Sequence, residues 1–144
     1  MNGTIVCGVA DAPEGRAAAQ LAGALAARLG LRLVLVHVAG SAPEARRGRV
    51  TVEAVLDGLD RSDSVEVRVV AGNRVDALAR IAAEEGADLI VVGSRPRGAR
   101  ARQLRCSLAR ELEAAQPVPV LIAPPATRRR STRRLALAEA AAGR

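Results

Sequence analysis

The residues best suited to chemistry lie between Gly93 and Ser107, a segment that carries five arginines. Guanidinium groups bind carboxylates and phosphates through paired hydrogen bonds. The apolar run before Gly93 predicts a buried strand, and Ser107 can cap a following helix through its hydroxyl. Because the start of a helix has unpaired N–H groups and a partial positive charge, this arrangement predicts an anion site. The arginines of this loop are Arg95, Arg97, Arg100, Arg102 and Arg105.

Two interpretations of the loop arginines stay open. They either clamp a phosphate, or form a solvated loop in a protein with a strong bias towards arginine. All 22 basic residues are arginine, and the chain contains no lysine and no aromatic residue. This composition is typical of a GC-rich genome, so the amount of arginine is a weaker signal than its position.

The charge is concentrated in the C-terminal part of the chain. Residues 1–88 hold 10 arginines and 12 acids, a net charge of −2, whereas residues 89–144 hold 12 arginines and 3 acids, a net charge of +9. One function that this asymmetry favours is that of an adaptor. It would bind acidic proteins or nucleic acid through the Arg95–Arg105 loop and the Arg128–Arg134 tail. Without aromatic residues for base stacking, nucleic-acid binding would be salt-sensitive and independent of base sequence.

The hydrophobic pattern predicts five strands that alternate with four helices. We predict strands at residues 4–9, 31–38, 65–70, 89–93 and 118–122. We predict helices at residues 50–59, 75–85 and 108–116, and a first helix with its periodic part at residues 17–29 and its start signal at residues 11–15. On the third helix, Val75, Leu78, Ala79 and Ala82 are predicted to share one helical face. The alternation indicates an α/β fold with a doubly wound parallel sheet, which binds ligands at the carboxyl ends of its strands. The ends of the first and fourth strands, near Ala10 and Gly93, are the predicted site.

Four segments of the chain resemble the universal stress protein family. They are residues 5–9, 33–38, 87–95 and 117–124, and the resemblance extends over residues 3–125. It implies a Rossmann-like sheet of the adenine nucleotide alpha hydrolase type, with helices on both faces. It also implies one domain over residues 1–125. The composition of the remaining residues, 126–144, predicts a basic and mobile tail.

The ATP-binding members of that family carry an Asp after strand one and the loop pattern G-x-x-G-x9-G-[ST] after strand four. Gly93 and Ser107 occupy the first and last places of this pattern. Pro96 and Cys106 occupy the places of the two other glycines, and Ala10 occupies that of the Asp. Proline fixes φ and lacks an N–H donor, so the loop loses part of its capacity to hold phosphate.

The resemblance therefore implies a non-enzymatic regulatory protein that binds ATP or another adenine nucleotide weakly or not at all. The residues that would contact the nucleotide are Val9, Ala10, Asp11, Val38, Val92, Gly93, Ser94, Arg97, Gly98, Ser107 and Leu108. An enzyme is not expected, because a single histidine, His37, offers no catalytic triad and no metal cluster.

The remaining candidate residues are predicted to be structural. His37 and Cys7 lie in apolar strands and are expected in the core. Cys106 is either an oxidation-prone thiol beside a helix N-terminus or a small residue in place of glycine. The chain has two cysteines and shows no signal peptide and no membrane span, which predicts a cytoplasmic protein.

The last strand predicts assembly. It is apolar on both faces, and Pro117, Pro119, Pro124 and Pro125 suit a sheet edge. An open apolar edge would promote aggregation. Because members of the resembled family commonly pair this strand with its copy, we predict a homodimer through residues 117–124.

Overall fold

The centre of the protein is a five-stranded parallel sheet with the strand order β3-β2-β1-β4-β5. The computed structural model describes residues 3–10, 13–59, 64–94 and 108–124. The strands are β1 (Thr4–Gly8), β2 (Arg32–Ala39), β3 (Val65–Ala71), β4 (Leu89–Gly93) and β5 (Val120–Ala123). The helices are α1 (Pro13–Leu29), α2 (Ala42–Asp57), α3 (Arg74–Glu84) and α4, residues 108–115. The predicted doubly wound α/β fold is confirmed.

Each face of the sheet is covered by helices, and the alternation along the strands divides the core in two. On β1, Ile5 and Cys7 point to the face covered by α1 and α2, whereas Val6 points to the face covered by α3 and α4. Successive strand side chains point to opposite faces, so a strand buried on both faces must be continuously apolar. This is why the central strands read as unbroken runs of Val, Ile and Leu.

The strand order creates a topological switch between β1 and β4. From β1 the chain continues through α1 to β2 on one side, and from β4 it continues to β5 on the other side. The two strands are paired in parallel, with Cys7 opposite Val91. Their carboxyl ends therefore lie side by side, where such sheets leave a crevice for ligands.

Two predicted helix ends are confirmed by the backbone. Gly30 follows α1 with φ +66°, and Gly86 follows Glu85, the C-cap of α3, with φ +60°. A residue with a Cβ is strained at such angles, so glycine ends each helix at little cost.

The prediction that the second helix begins near residue 50 is wrong, because α2 begins at Ala42. Ser41 is its N-cap and accepts a hydrogen bond from the Glu44 N–H at 3.4 Å, while a Glu44 carboxylate oxygen accepts one from the Gly40 N–H at 2.6 Å. The pattern Ser-x-x-Glu with a following proline is a helix-start signal that the polar composition obscured. Val52 and Val55, whose spacing places them on one side of this helix, lie in the core.

Two smaller features, the start of β5 and the buried face of α3, also differ from the prediction. β5 begins at Val120, although the Pro119 carbonyl already accepts a hydrogen bond from the Ile90 N–H at 2.9 Å. On α3 the buried residues are Ala77, Leu78, Ile81 and Ala82, whereas Val75 and Ala79 of the predicted face are partly exposed. In the described part of the chain, no helix is long and apolar enough to cross a membrane.

Candidate functional site

The carboxyl ends of β1, β2 and β4 bring six of the predicted site residues to one edge of the sheet. Val9, Val92 and Ser94 are buried there, whereas Ala10, Val38 and Gly93 are partly exposed. The register that pairs Cys7 with Val91 and Gly8 with Val36 continues towards these residues. The strands thus place them together, and their contact with a ligand stays a prediction.

The other predicted site residues divide into two groups. Leu108 begins α4 and packs, half-buried, against the core on the α3 side of the sheet. Asp11, Arg97, Gly98 and Ser107 lie outside the described residues. So do Cys106, the Arg95–Arg105 loop and the Arg128–Arg134 tail.

Ser94 carries a buried hydroxyl at this edge that requires a hydrogen-bond partner. Its side chain is 3% exposed, and its hydroxyl oxygen has no hydrogen-bond partner among the described residues. A buried hydroxyl without a partner is unfavourable, because folding removes its bonds to water and returns nothing. A ligand oxygen or nitrogen near β4 could supply the missing bond.

The described residues fit an adenine nucleotide in part. The Ser94 hydroxyl can donate to a phosphate or ribose oxygen and can also accept a bond. The partly exposed Ala10, by contrast, offers no carboxylate at the end of β1 for the ribose hydroxyls. This edge can therefore provide a hydroxyl and apolar surface to a nucleotide, but not the acid of the ATP-binding pattern.

His37 of β2 forms a hydrogen bond with Val9, the residue that follows β1. Its Nδ1 lies 2.8 Å from the Val9 carbonyl oxygen in a buried contact. Because a carbonyl can only accept, Nδ1 carries the hydrogen and donates it. The prediction that His37 is a core residue is confirmed, but the sequence did not indicate its hydrogen bond to Val9.

Two glycines within helices allow close approaches beside these residues. A Cβ added at Gly48 of α2 would overlap the His37 ring, and one added at Gly15 of α1 would overlap the backbone of Ala10. A glycine inside a helix costs about 1 kcal/mol relative to alanine, so such a residue signals a close contact. At Gly48 this signal was hidden, because the helix was predicted to begin near residue 50; at Gly15 it was present in the sequence and was missed.

Cys7 is fully buried, and this burial raises the pKa of its thiol to about 12. A thiol with this pKa is almost entirely protonated at neutral pH and is a poor nucleophile. The prediction that Cys7 belongs to the core is confirmed. Among the described residues, no group of three or more His, Cys, Asp or Glu side chains could hold a metal ion.

Comparison with known proteins gives consistent matches to one family. The sequence model described as the universal stress protein family matches residues 1–124. No curated protein sequence matches the chain. A solved universal stress protein in complex with cAMP is 29% identical, with a TM-score of 0.66, and the match covers 83% of this chain and 94% of that one.

Two further solved structures have the same fold. A protein of this family from Burkholderia pseudomallei is 25% identical, with a TM-score of 0.65, and the match covers 86% of this chain and 96% of that one. A universal stress protein from Archaeoglobus fulgidus, solved in complex with dAMP, is 16% identical, with a TM-score of 0.63, and the match covers 85% of this chain and 97% of that one. At that identity the likeness concerns the fold alone.

Proposed function

Since the chain belongs to the universal stress protein family, we propose that it is a non-enzymatic, cytoplasmic regulatory protein that binds an adenine nucleotide weakly. The proposed site is the edge formed by the carboxyl ends of β1, β2 and β4. Two facts support this proposal: the 29% identical relative was solved in complex with cAMP, and Ser94 at this edge lacks a partner.

The proposal rests mainly on the unsatisfied hydroxyl of Ser94. It is buried beyond the last residue of β4 and has no hydrogen-bond partner within the described part of the chain. An unsatisfied buried group costs roughly 1–3 kcal/mol, which a hydrogen bond to a ligand recovers. A nucleotide phosphate or ribose oxygen has the chemistry to make this bond.

The sequence favours a cyclic nucleotide over ATP as the ligand. Pro96 and Cys106 replace two glycines of the loop pattern that holds the phosphates of ATP, and Ala10 replaces the acid. A triphosphate depends on many backbone donors, so these replacements weaken its binding most. A cyclic monophosphate has one phosphate and one free ribose hydroxyl, and so has fewer bonds to lose.

Isothermal titration calorimetry with cAMP and with ATP and Mg²⁺ tests the proposal. We expect cAMP to bind with a dissociation constant between about 10 and 100 μM, and ATP to bind more weakly. An ATP dissociation constant below about 1 μM would contradict the argument from the replaced glycines and acid. Absence of binding by both nucleotides would contradict the proposed ligand class.

The substitution Ser94→Ala tests the carrying observation. It should weaken cAMP binding by roughly five- to thirtyfold, corresponding to about 1–2 kcal/mol for one hydrogen bond. In the nucleotide-free protein it should leave the free energy of unfolding unchanged or slightly raised, because it removes an unsatisfied hydroxyl.

The matched control is Ser64→Ala, an exposed serine directly before β3. It should change neither cAMP affinity nor stability. A Ser94→Ala protein that is destabilised without nucleotide would instead mean that the hydroxyl is bonded within the chain.

The adaptor hypothesis stays a separate alternative. It is supported by the net charge of +9 over residues 89–144, all of which comes from residues outside the described part of the chain, since the described residues of this range carry a net charge of −1. The ligands of such an adaptor would be acidic proteins or nucleic acid, and their binding would not require the Ser94 hydroxyl.

A further inference from the structure

The carboxyl end of β1 is held to β2 by two hydrogen bonds at one residue. The Val9 N–H donates to the Val36 carbonyl at 2.8 Å. The Val9 carbonyl accepts from His37 Nδ1, also at 2.8 Å. Both bonds are made after Gly8, the last residue of β1, so β1 is fixed beyond its regular ladder.

The His37 ring is in turn held against α2. Gly48 is buried in that helix, and a Cβ there would overlap the ring at Cδ2 and Nε2. The imidazole thus lies between the Val9 carbonyl and the backbone of α2, and it can move towards α2 only by displacing the helix. This contact explains a glycine in the middle of a 16-residue helix.

The next residue along the chain, Ala10, is in close contact with α1. A Cβ at Gly15 would overlap the Ala10 carbonyl oxygen and amide nitrogen, so the first turns of α1 pack closely on this peptide. The His37 imidazole therefore contacts Val9, and the start of α1 contacts Ala10. Both residues belong to the edge at which we propose that the nucleotide binds.

We propose that His37 is a positioning residue that fixes the carboxyl end of β1 for ligand binding. The part that concerns the ligand rests on the function proposed above. The bond requires an N–H donor on the side chain of residue 37, whereas simple core filling requires only volume. This difference allows the two roles to be tested separately. A side chain of similar size without an N–H donor still fills the core but no longer holds the Val9 carbonyl.

The experiment compares His37→Asn with His37→Leu. The asparagine side-chain N–H₂ can occupy the place of imidazole Nδ1 and donate to the Val9 carbonyl. Leucine fills similar space without a donor. Amide hydrogen exchange of Val9 is measured without nucleotide, with the Cys7 amide at the centre of β1 as internal reference, and cAMP affinity is measured by calorimetry.

In His37→Leu the Val9 N–H keeps its bond to Val36, but the end of β1 has lost one hydrogen bond and should open more often. We therefore expect the Val9 amide to exchange roughly fivefold to tenfold faster, with the Cys7 amide unchanged. In His37→Asn the Val9 exchange rate should stay within about twofold of wild type. The affinity for cAMP should fall in His37→Leu and be restored in His37→Asn. If His37→Leu does not fold, His37→Val removes the donor with a side chain suited to a strand.

Two control variants separate this effect from general instability. Ile81→Val trims the core on the opposite face of the sheet, and should leave the Val9 exchange rate relative to Cys7 unchanged. Gly48→Ala, which crowds the ring, should accelerate Val9 exchange, whereas Gly58→Ala should not, since an added Cβ there meets nothing closer than 3.6 Å.

The outcomes distinguish the two proposals. If wild type binds no nucleotide but the exchange pattern is as expected, the proposed function fails and His37 still fixes the end of β1. If His37→Leu and His37→Asn give the same Val9 exchange rate, the hydrogen bond does not position the strand and the inference is overturned. It is also overturned if exchange differs as expected while cAMP binds equally to both variants.

Discussion

At the scale of single residues, Cys7 determines how stability responds to alkaline pH. Burial raises the pKa of its thiol from 9.0 to about 12. Above pH 9 the unfolded chain therefore loses this proton while the folded chain retains it, so ionisation favours unfolding. The contribution is fully present below pH 9 and is lost as pH rises towards 12, with a slope of about 1.4 kcal/mol per pH unit.

This alkaline slope should be measurable because the chain contains no lysine and no tyrosine to titrate in the same range. We expect urea unfolding between pH 9 and 11 to show a loss of about 2–3 kcal/mol for wild type. Cys7→Ala should be less stable at pH 7 but nearly independent of pH in this range. Cys106→Ser should retain the wild-type slope, and a slope that follows Cys106 instead would contradict the assignment.

At the scale of elements, Glu85 joins the end of α3 to β2 and β3. Its side chain is 15% exposed and accepts hydrogen bonds from Arg32 of β2 and, at 3.3 Å, from Arg68 of β3. Arg68 also contacts Glu84 at 2.9 Å, and that carboxylate is 47% exposed. Since screening by water decreases with burial, Glu85 should contribute more to stability than its neighbour.

Replacing each glutamate with glutamine tests this difference at equal net charge. Glu85→Gln should lower the free energy of unfolding by about 1–2 kcal/mol, because two arginines lose an ionised acceptor. Glu84→Gln should cost less than about 0.5 kcal/mol. Urea unfolding at low and moderate salt provides the measurement, and equal losses in the two variants would refute the role given to burial.

At the scale of the whole molecule, β5 provides an edge suited to self-association. On one face Leu121 and Ala123 pack against the α1 side of the core, and on the other Val120 packs against the α3 side. Ile122 is 39% exposed. We propose that residues 117–124 pair antiparallel with their copy around a two-fold axis, which would cover this edge.

Light scattering should give twice the chain mass of 14.9 kDa for the wild type, and Ile122→Arg should give a monomer. Ile122 is a cleaner position than Val120 or Leu121, whose side chains also pack against the core. Val67→Arg on the opposite edge strand is the matched control, with a side chain 37% exposed in the wild type, and it should stay dimeric. A wild-type monomer at micromolar concentration would contradict the proposal.

The sequence by itself determined the order and type of the elements. Runs such as Leu89–Val92 indicated buried strands, and Gly30 and Gly86 marked helix ends, because these signals depend on residues close together in the chain. The edge positions of β3 and β5 were also predictable, since Glu66 and Arg68 give β3 a polar face and prolines flank β5. The start of α2 was missed although its Ser41 and Glu44 signal is local, because the polar and small residues from Gly40 to Arg49 indicated a surface loop.

Only the tertiary structure decided how the candidate site is held together. His37 is 28 residues from Val9 and 11 from Gly48, and its hydrogen bond exists because the crossover from β1 through α1 to β2 brings these residues into contact. The absence of a partner for Ser94 among the described residues is likewise a property of its surroundings. Propensity and periodicity act over a few residues, whereas burial and hydrogen-bond satisfaction depend on every group that folding places nearby.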